Sequence, residues 1–357
     1  MSKRKPINVV AGSSPKNTSV GSSYYKNANL NFRPSSMQEN RGGTRPVAEP
    51  SSISSVIVSM ILHICRKSLL YDPRLKAVIY FGAVFFGSIV CDVMPIPKTY
   101  FARSSNIFNQ FFIKWAWGWL LATAGPWILL TAYTIGCGKK EIILKHLARL
   151  GLATLFWMSW ISFMNYIESN YGRCVNVRER SLQNKVKCLA AGHFWNGLDV
   201  SGHAFIIIYS SLILSEEGYS LVGWEAIKNN IMNEEYNRKT STQVTKGYLN
   251  KISDEDLDFL KKTYKDLTPY LRGLFIIMTI QQIIWDVMLV ATILYYHTMI
   301  EKFFGAAAAI LTWYATYYWL YRFPNLGFCM PSEGIFKYNE LRENTKENGV
   351  RSSYRRY

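Results

Sequence analysis

The sequence predicts an all-α, polytopic membrane protein with about six transmembrane helices, and three observations carry that expectation. Mean hydropathy is close to zero, with 15% aromatic residues, an apolar balance unlike that of an ordinary soluble chain. Apolar residues are also segregated: residues 1–50 are dominated by Ser, Asn, Pro, Lys and Arg, and the last twenty are similarly polar. Between these tails lie runs long enough to cross about 30 Å of hydrocarbon.

Taken in order, residues 51–70 (SSISSVIVSMILHICRKSLL) form an apolar helical pattern ending in Arg66 and Lys67, which suits an interfacial lead-in helix. The first span is 74–94, stopped by the Pro-Ile-Pro that follows. The second, 115–137, starts with the Trp-rich WAWGW, and the third, 147–167, carries aromatic ends suited to the interface. The fourth has its core at 201–214, the fifth is 271–296 and the sixth 304–321. Residues 215–270 are polar and mixed in charge, with helix-prone pieces such as SDEDLDFLKKTYKDL whose acids precede its lysines. The expected organisation is a basic tail at 1–52, a membrane domain at 53–325 with a cytosolic insertion at 215–270, and a second basic tail at 326–357. No internal repeat of fixed period is visible.

The net charge of +17 would suit nucleic acid if the cations formed one contiguous stripe. They sit instead in tails and in loops between apolar runs, which argues against a nucleic-acid partner and for an anionic membrane surface. No apolar run follows MSKRKP as a signal peptide requires, so insertion is expected to use internal spans. The six cysteines include no CxxC pair, which disfavours zinc. Cys174 and Cys188 flank the basic NVRERSLQNKVK, and either a disulfide or two free thiols fits that placement. Walker and dinucleotide fingerprints are absent.

Six spans place both termini on one face. The positive-inside rule makes that face cytosolic through Lys139, Lys140, Lys145 and Arg149, against the opposing vote of the basic 173–187 loop. His203 opens span four and His297 closes span five, so two antiparallel spans bring both histidines to the opposite, luminal face. Two histidines at one surface can divide nucleophilic attack and protonation between them. Asp199 lies four positions before His203, and Glu301 four positions after His297, spacings that let each carboxylate orient a ring on a helix. Ser201 offers a hydroxyl and an N–H, and Gly202 permits close backbone approach. Each residue also has a plainer reading: histidines as interfacial caps, Asp199 as a helix cap, and Glu301 paired with Lys302 or water. His63 and His146 fit structural or solvated roles, and His193 fits the interface.

HFWNGLDVSGHAF, LYYHTMIEKFFG and TWYATYYW, with TYFARSSNIFNQFFIKWAWGW upstream, resemble the fat storage-inducing transmembrane family over most of residues 75–325. That family is distantly similar to lipid phosphate phosphatases, which implies a phosphatase-like helical bundle. The resemblance implies that His203 protonates a leaving group and His297 attacks phosphorus, hydrolysing fatty acyl-CoA to acyl 4′-phosphopantetheine and adenosine 3′,5′-bisphosphate, with no metal or other cofactor. Asp199, Ser201, Gly202 and Glu301 would support the pair, and Trp195, Asn196 and Arg103 would bind substrate. Implied partners are fatty acyl-CoA, di- and triacylglycerol and the endoplasmic reticulum membrane. The chain departs from the phosphatases in lacking Lys-x6-Arg-Pro within residues 75–325, in carrying Val290 and Ala291 where a Ser-Arg pair is expected, and in having Glu301 for Asp. Arg103, Lys114 and Arg173 are the loop cations available to replace the lost arginine clamp. A non-catalytic neutral-lipid-binding protein is the rival reading. A transporter is disfavoured, because Asp286 is the one clear mid-span acid and no inverted repeat is visible.

Overall fold

The computed structural model describes residues 52–94, 96–175, 184–197, 200–240, 249–323 and 326–338. Helix α1, Ile53–Leu69, starts at Ser52, whose hydroxyl accepts from the Ser55 N–H, and ends on Arg66 and Lys67, which complement the dipole. Its buried stripe is Leu62, Cys65 and Leu69, while Ile53, Ile57, Met60 and Ile64 stay exposed. Asp72 and Pro73 start α2, Pro73–Val93, as cap and first-turn proline. After a loop comes α3, Ala116–Ile135, then a tight turn with Gly138 at φ 73°, and α4, Lys140–Tyr171.

The next connection holds a small antiparallel ribbon, β1 (Arg173–Cys174) with β2 (Trp195–Asn196), and the short α5, Lys185–Ala190. Of the two states open to the flanking cysteines, the structure shows the disulfide Cys174–Cys188. Then follow α6 (Gly202–Gly218), α7 (Trp224–Lys239), α8 (Asp254–Tyr295) and α9 (Met299–Tyr314).

Among the described residues, five segments are long and apolar enough to cross a membrane: Pro73–Val93, Ala116–Ile135, Lys140–Tyr171, Gly202–Lys239 and Asp254–Tyr295. The expected sixth is shorter as an α-helix. Helix α9 has 16 residues and runs directly into a π-helical stretch, Ala315–Trp319, and a 3-10 turn, Leu320–Arg322. Among the described residues the fold is thus the expected all-α polytopic bundle.

Helix α6 is its axis, with every residue from Ala204 to Gly218 buried, against α2, α3, α8 and α9. The polar insertion therefore begins later than residue 215. Ser215 and Glu217 can be buried because Lys76 Nζ donates to Ser215 Oγ at 2.9 Å and Arg149 forms a bidentate pair with Glu217 at 3.0 and 2.6 Å. At 42 residues, α8 is about 60 Å long, twice the hydrocarbon thickness. Its first half leaves the apolar layer and carries α7 through Trp224–Thr268 and Glu225–Arg272 contacts.

The two ends of the bundle differ. At one end, Tyr317 OH donates to Glu217, His146 contacts both Arg149 and the Glu333 carbonyl, and Arg149 donates to the Cys329 carbonyl. Met330, Phe336 and Tyr338 are buried there, so packing extends past residue 325. At the other end, the α2–α3 loop, the start of α6 and the α8–α9 corner meet.

Candidate active site

The α8–α9 corner is short because two capping devices close it. Thr298 and Glu301 form a capping box in which the Thr298 N–H donates to Glu301 Oε2 at 2.9 Å. Lys302, almost wholly buried, donates to the Ile293 carbonyl at 2.8 Å and so fastens α9 back onto the last turn of α8. Glu301 is thus not paired with Lys302, which sends its amine elsewhere. Reversal at so few residues puts His297 in the left-handed region, φ 61°. A non-glycine residue held there stores on the order of 1–3 kcal/mol, a cost found where geometry serves function.

Opposite this corner, the DVSGH stretch becomes the start of α6. The buried Ser201 hydroxyl accepts from the Ala204 N–H at 3.2 Å, making Ser201 the N-cap, and the Ser201 N–H donates to the Glu301 carbonyl at 3.1 Å. A Cβ on Gly305 would lie 2.5 Å from the Ser201 carbonyl oxygen. The close approach expected at Gly202 therefore falls at Gly305, where α9 crosses α6. Gly202 faces open space, with nothing within 4 Å of its missing Cβ.

This packing brings His203 and His297 together, with ring centroids 5.9 Å apart and planes inclined by 54°. Tyr296 stacks on the other side of His203 at 5.8 Å and 7°. His203 Nε2 donates to Asn109 Oδ1 at 2.8 Å. The orientation of that amide is fixed, because Asn109 Nδ2 donates to the Ser104 carbonyl at 2.8 Å, leaving Oδ1 for the histidine. His203 Nε2 therefore carries a proton. On His297, Nδ1 lies 3.5 Å from Glu301 Oε2, which leaves Nε2 as the working nitrogen. Each imidazole thus has one nitrogen committed to an oriented acceptor, the arrangement in which the second nitrogen can attack or transfer a proton.

Asn109 is itself placed by unusual backbone. It lies in a six-residue π-helical stretch, Phe108–Ile113, a form often found at functional sites. Its N–H donates to Asn106 Oδ1 at 2.7 Å, and Asn106 Nδ2 donates to the Arg103 and Phe101 carbonyls at 2.7 and 3.2 Å. Tyr296 OH also donates to the Phe101 carbonyl at 2.8 Å, so the tyrosine that stacks on His203 fastens the same loop.

Of the anticipated site residues, His203, His297, Ser201, Gly202 and Glu301 converge here. Asp199 lies outside the described residues. Trp195 and Asn196 lie on β2, where Trp195 packs against Gly172 and Gly197. Arg103 contributes backbone to the site, and its side chain is exposed. Lys114 donates to Gln110 at 2.7 Å, and Arg173 is exposed on β1. Asn109, Asn106 and Tyr296 were not anticipated. Their signal was two amides three residues apart in the otherwise aromatic NIFNQFF, facing a second aromatic-histidine pair in YYH. Among the described residues, no three His, Cys, Asp or Glu side chains converge as a metal site requires.

A multi-pass helical bundle whose central helix and terminal corner present two histidines to each other defines an integral membrane protein with a paired-imidazole site at one end. The model of the fat storage-inducing transmembrane protein family matches residues 97–317, and the chain belongs to that family. It is 43% identical over 340 residues to acyl-coenzyme A diphosphatase FITM2 of Drosophila melanogaster, covering 94% of this chain and 78% of the relative. The human protein of the same name is 27% identical over 66% of this chain and 78% of its own, and that of Caenorhabditis elegans 24% identical over 82% and 94%. No solved structure matches the chain.

Proposed function

We propose that this protein is a fatty acyl-coenzyme A diphosphatase that hydrolyses the phosphoanhydride to acyl 4′-phosphopantetheine and adenosine 3′,5′-bisphosphate. The observation that carries this reading is the 5.9 Å pairing of His203 with His297, each ring anchored through its other nitrogen; the names of the relatives support the substrate.

In the first step His297 Nε2 forms a bond to one phosphorus of the anhydride. The bond from that phosphorus to the bridging oxygen breaks, and the electron pair leaves on that oxygen, which takes the His203 Nδ1 proton. The Glu301 carboxylate stabilises the positive charge that develops on His297 through Nδ1, and Asn109, accepting from Nε2, holds the His203 ring so that its imidazolium form presents the Nδ1 proton to the leaving oxygen. In the second step water attacks the phosphohistidine, His203 takes the water proton, and His297 is released. One water is consumed per turnover.

The acyl chain lies along the apolar exterior of the bundle, with its head at the site end. The disulfide precedes His203 in sequence and favours an oxidising compartment for this end. With the basic 1–52 tail and the Arg149 end in the cytosol, the reading places the protein in the endoplasmic reticulum membrane, its site luminal and its termini cytosolic. There it supports lipid-droplet formation and lipid balance, and meets di- and triacylglycerol as lipids of the same membrane.

Release of adenosine 3′,5′-bisphosphate from oleoyl-CoA by the purified, detergent-solubilised protein tests the reading. Activity in wild type, lost in both His203→Ala and His297→Asn, supports it. An inactive wild type, or unchanged variants with intact folds, overturns it.

A further inference from the structure

Beside the histidines, the loop between α2 and α3 carries a depression of about 590 Å³ lined by Lys98, Thr99, Tyr100, Ala102 and Arg103. That volume lies inside the range of roughly 300–1,000 Å³ usual for small-molecule sites. The Lys98 and Arg103 side chains are exposed, and among the described residues neither forms a hydrogen bond or an ion pair. No acidic side chain is in the lining. Between the two cations sits Tyr100, half exposed, whose hydroxyl accepts from the Ile107 N–H at 3.2 Å and so keeps the ring in place.

Two uncommitted cations flanking a fixed aromatic face are the elements that recognise a phosphorylated nucleoside. Lys and Arg hold phosphate oxygens by charge-assisted hydrogen bonds, and a tyrosine ring stacks on a base. The location fits as well. Tyr296 OH donates to the Arg103 carbonyl at 3.1 Å while its ring stacks on His203, so one side chain links the lining of the depression to the reacting pair. Thr99 Oγ1 donates to Tyr295 OH at 3.0 Å, and Tyr295 OH donates to the Pro97 carbonyl at 3.2 Å, which fixes the second edge.

We propose that this depression is the subsite for the 3′-phosphorylated adenosine half of the substrate, with Lys98 and Arg103 holding phosphate and Tyr100 stacking on the adenine. The proposal rests on the acyl-CoA diphosphatase reading and deepens it. The 3′-phosphate takes no part in bond breaking, so its contacts act in binding. They also select coenzyme A esters over simple lipid phosphates.

The test is calorimetric binding of adenosine 3′,5′-bisphosphate to the full-length protein in detergent, with kinetics on oleoyl-CoA and its 3′-dephospho analogue. Wild type is expected to bind the bisphosphate at least tenfold tighter than adenosine 5′-monophosphate. Lys98→Ala/Arg103→Ala should weaken bisphosphate binding tenfold or more, raise KM for oleoyl-CoA by a similar factor with kcat within twofold, and abolish the preference for the 3′-phosphorylated substrate. Tyr100→Ala should weaken both nucleotides alike. Lys187→Ala, an exposed cation on α5, should leave binding unchanged. No bisphosphate binding by wild type, a double variant that binds like wild type, or an equal loss in Lys187→Ala each overturns the subsite. Turnover of oleoyl-CoA with binding indifferent to Lys98 and Arg103 overturns the subsite alone. Binding that depends on both cations, in a protein that releases no bisphosphate from oleoyl-CoA, overturns the diphosphatase reading alone.

Discussion

Replacing Asn109 with Leu should slow the chemical step while leaving substrate affinity nearly unchanged. Asn109 is buried and receives the 2.8 Å hydrogen bond from His203 Nε2 that fixes the orientation of the ring. When His203 is an imidazolium poised to donate, that bond is charge-assisted and worth about 1.5–3 kcal/mol. Its loss corresponds to roughly 10- to 150-fold in kcat. Ser104, which accepts from the same amide, is exposed, and water replaces that partner. Asn109→Asp keeps an acceptor oxygen for His203 Nε2 at the same position and should lose less activity than Asn109→Leu. The assay is release of adenosine 3′,5′-bisphosphate from oleoyl-CoA across pH, with KM and thermal unfolding measured on the same preparations. An Asn109→Leu protein that folds and turns over like wild type, or one altered only in KM, refutes the positioning argument.

Three further predictions concern the frame around the site. Arg149→Met strands a buried Glu217 carboxylate and should cost about 3–5 kcal/mol in thermal or denaturant unfolding, whereas Arg149→Met/Glu217→Leu should recover most of that loss; a double variant as unstable as the single one contradicts this. Gly305→Ala drives a methyl group into the Ser201 carbonyl and should cost about 1–3 kcal/mol, with a parallel fall in kcat as the α6 start shifts. Gly202→Ala meets no atom and should change stability by less than about 0.5 kcal/mol, so equal effects at the two glycines would be inconsistent with this packing. Reduction of Cys174–Cys188, which closes a short loop of sequence separation 14, should lower stability by about 3 kcal/mol, visible as a drop in unfolding temperature with reductant that is absent in Cys174→Ser/Cys188→Ser.

Much of this arrangement was legible because membrane spans obey a length rule and alternate in direction. Span length and parity alone put His203 and His297 at one end, and the Glu301 neighbour of His297 was visible as a four-residue spacing. The second role of Glu301 was also readable, since Thr298-x-x-Glu301 is a capping-box pattern at the start of an apolar run. Asn109 was harder to see, because its partner is set by how a loop folds over the bundle end and not by helix periodicity. The Arg149–Glu217 pair was hidden for a related reason: composition marks SEEG as polar and external, and only a buried arginine from α4 makes it internal. The 328–338 segment looked like tail because a few buried residues, Met330, Phe336 and Tyr338, do its packing among polar neighbours.

The most direct test of the central claim is to trap the covalent intermediate. Acyl-CoA labelled at both anhydride phosphorus atoms is mixed with protein in a single turnover, quenched in alkali to preserve phosphohistidine, and mapped by mass spectrometry. A phosphorus adduct on His297 in wild type, formed more slowly in His203→Ala and absent in His297→Asn, is the predicted result. Turnover with no adduct on His297, or an adduct that persists in His297→Asn, would contradict the two-histidine account.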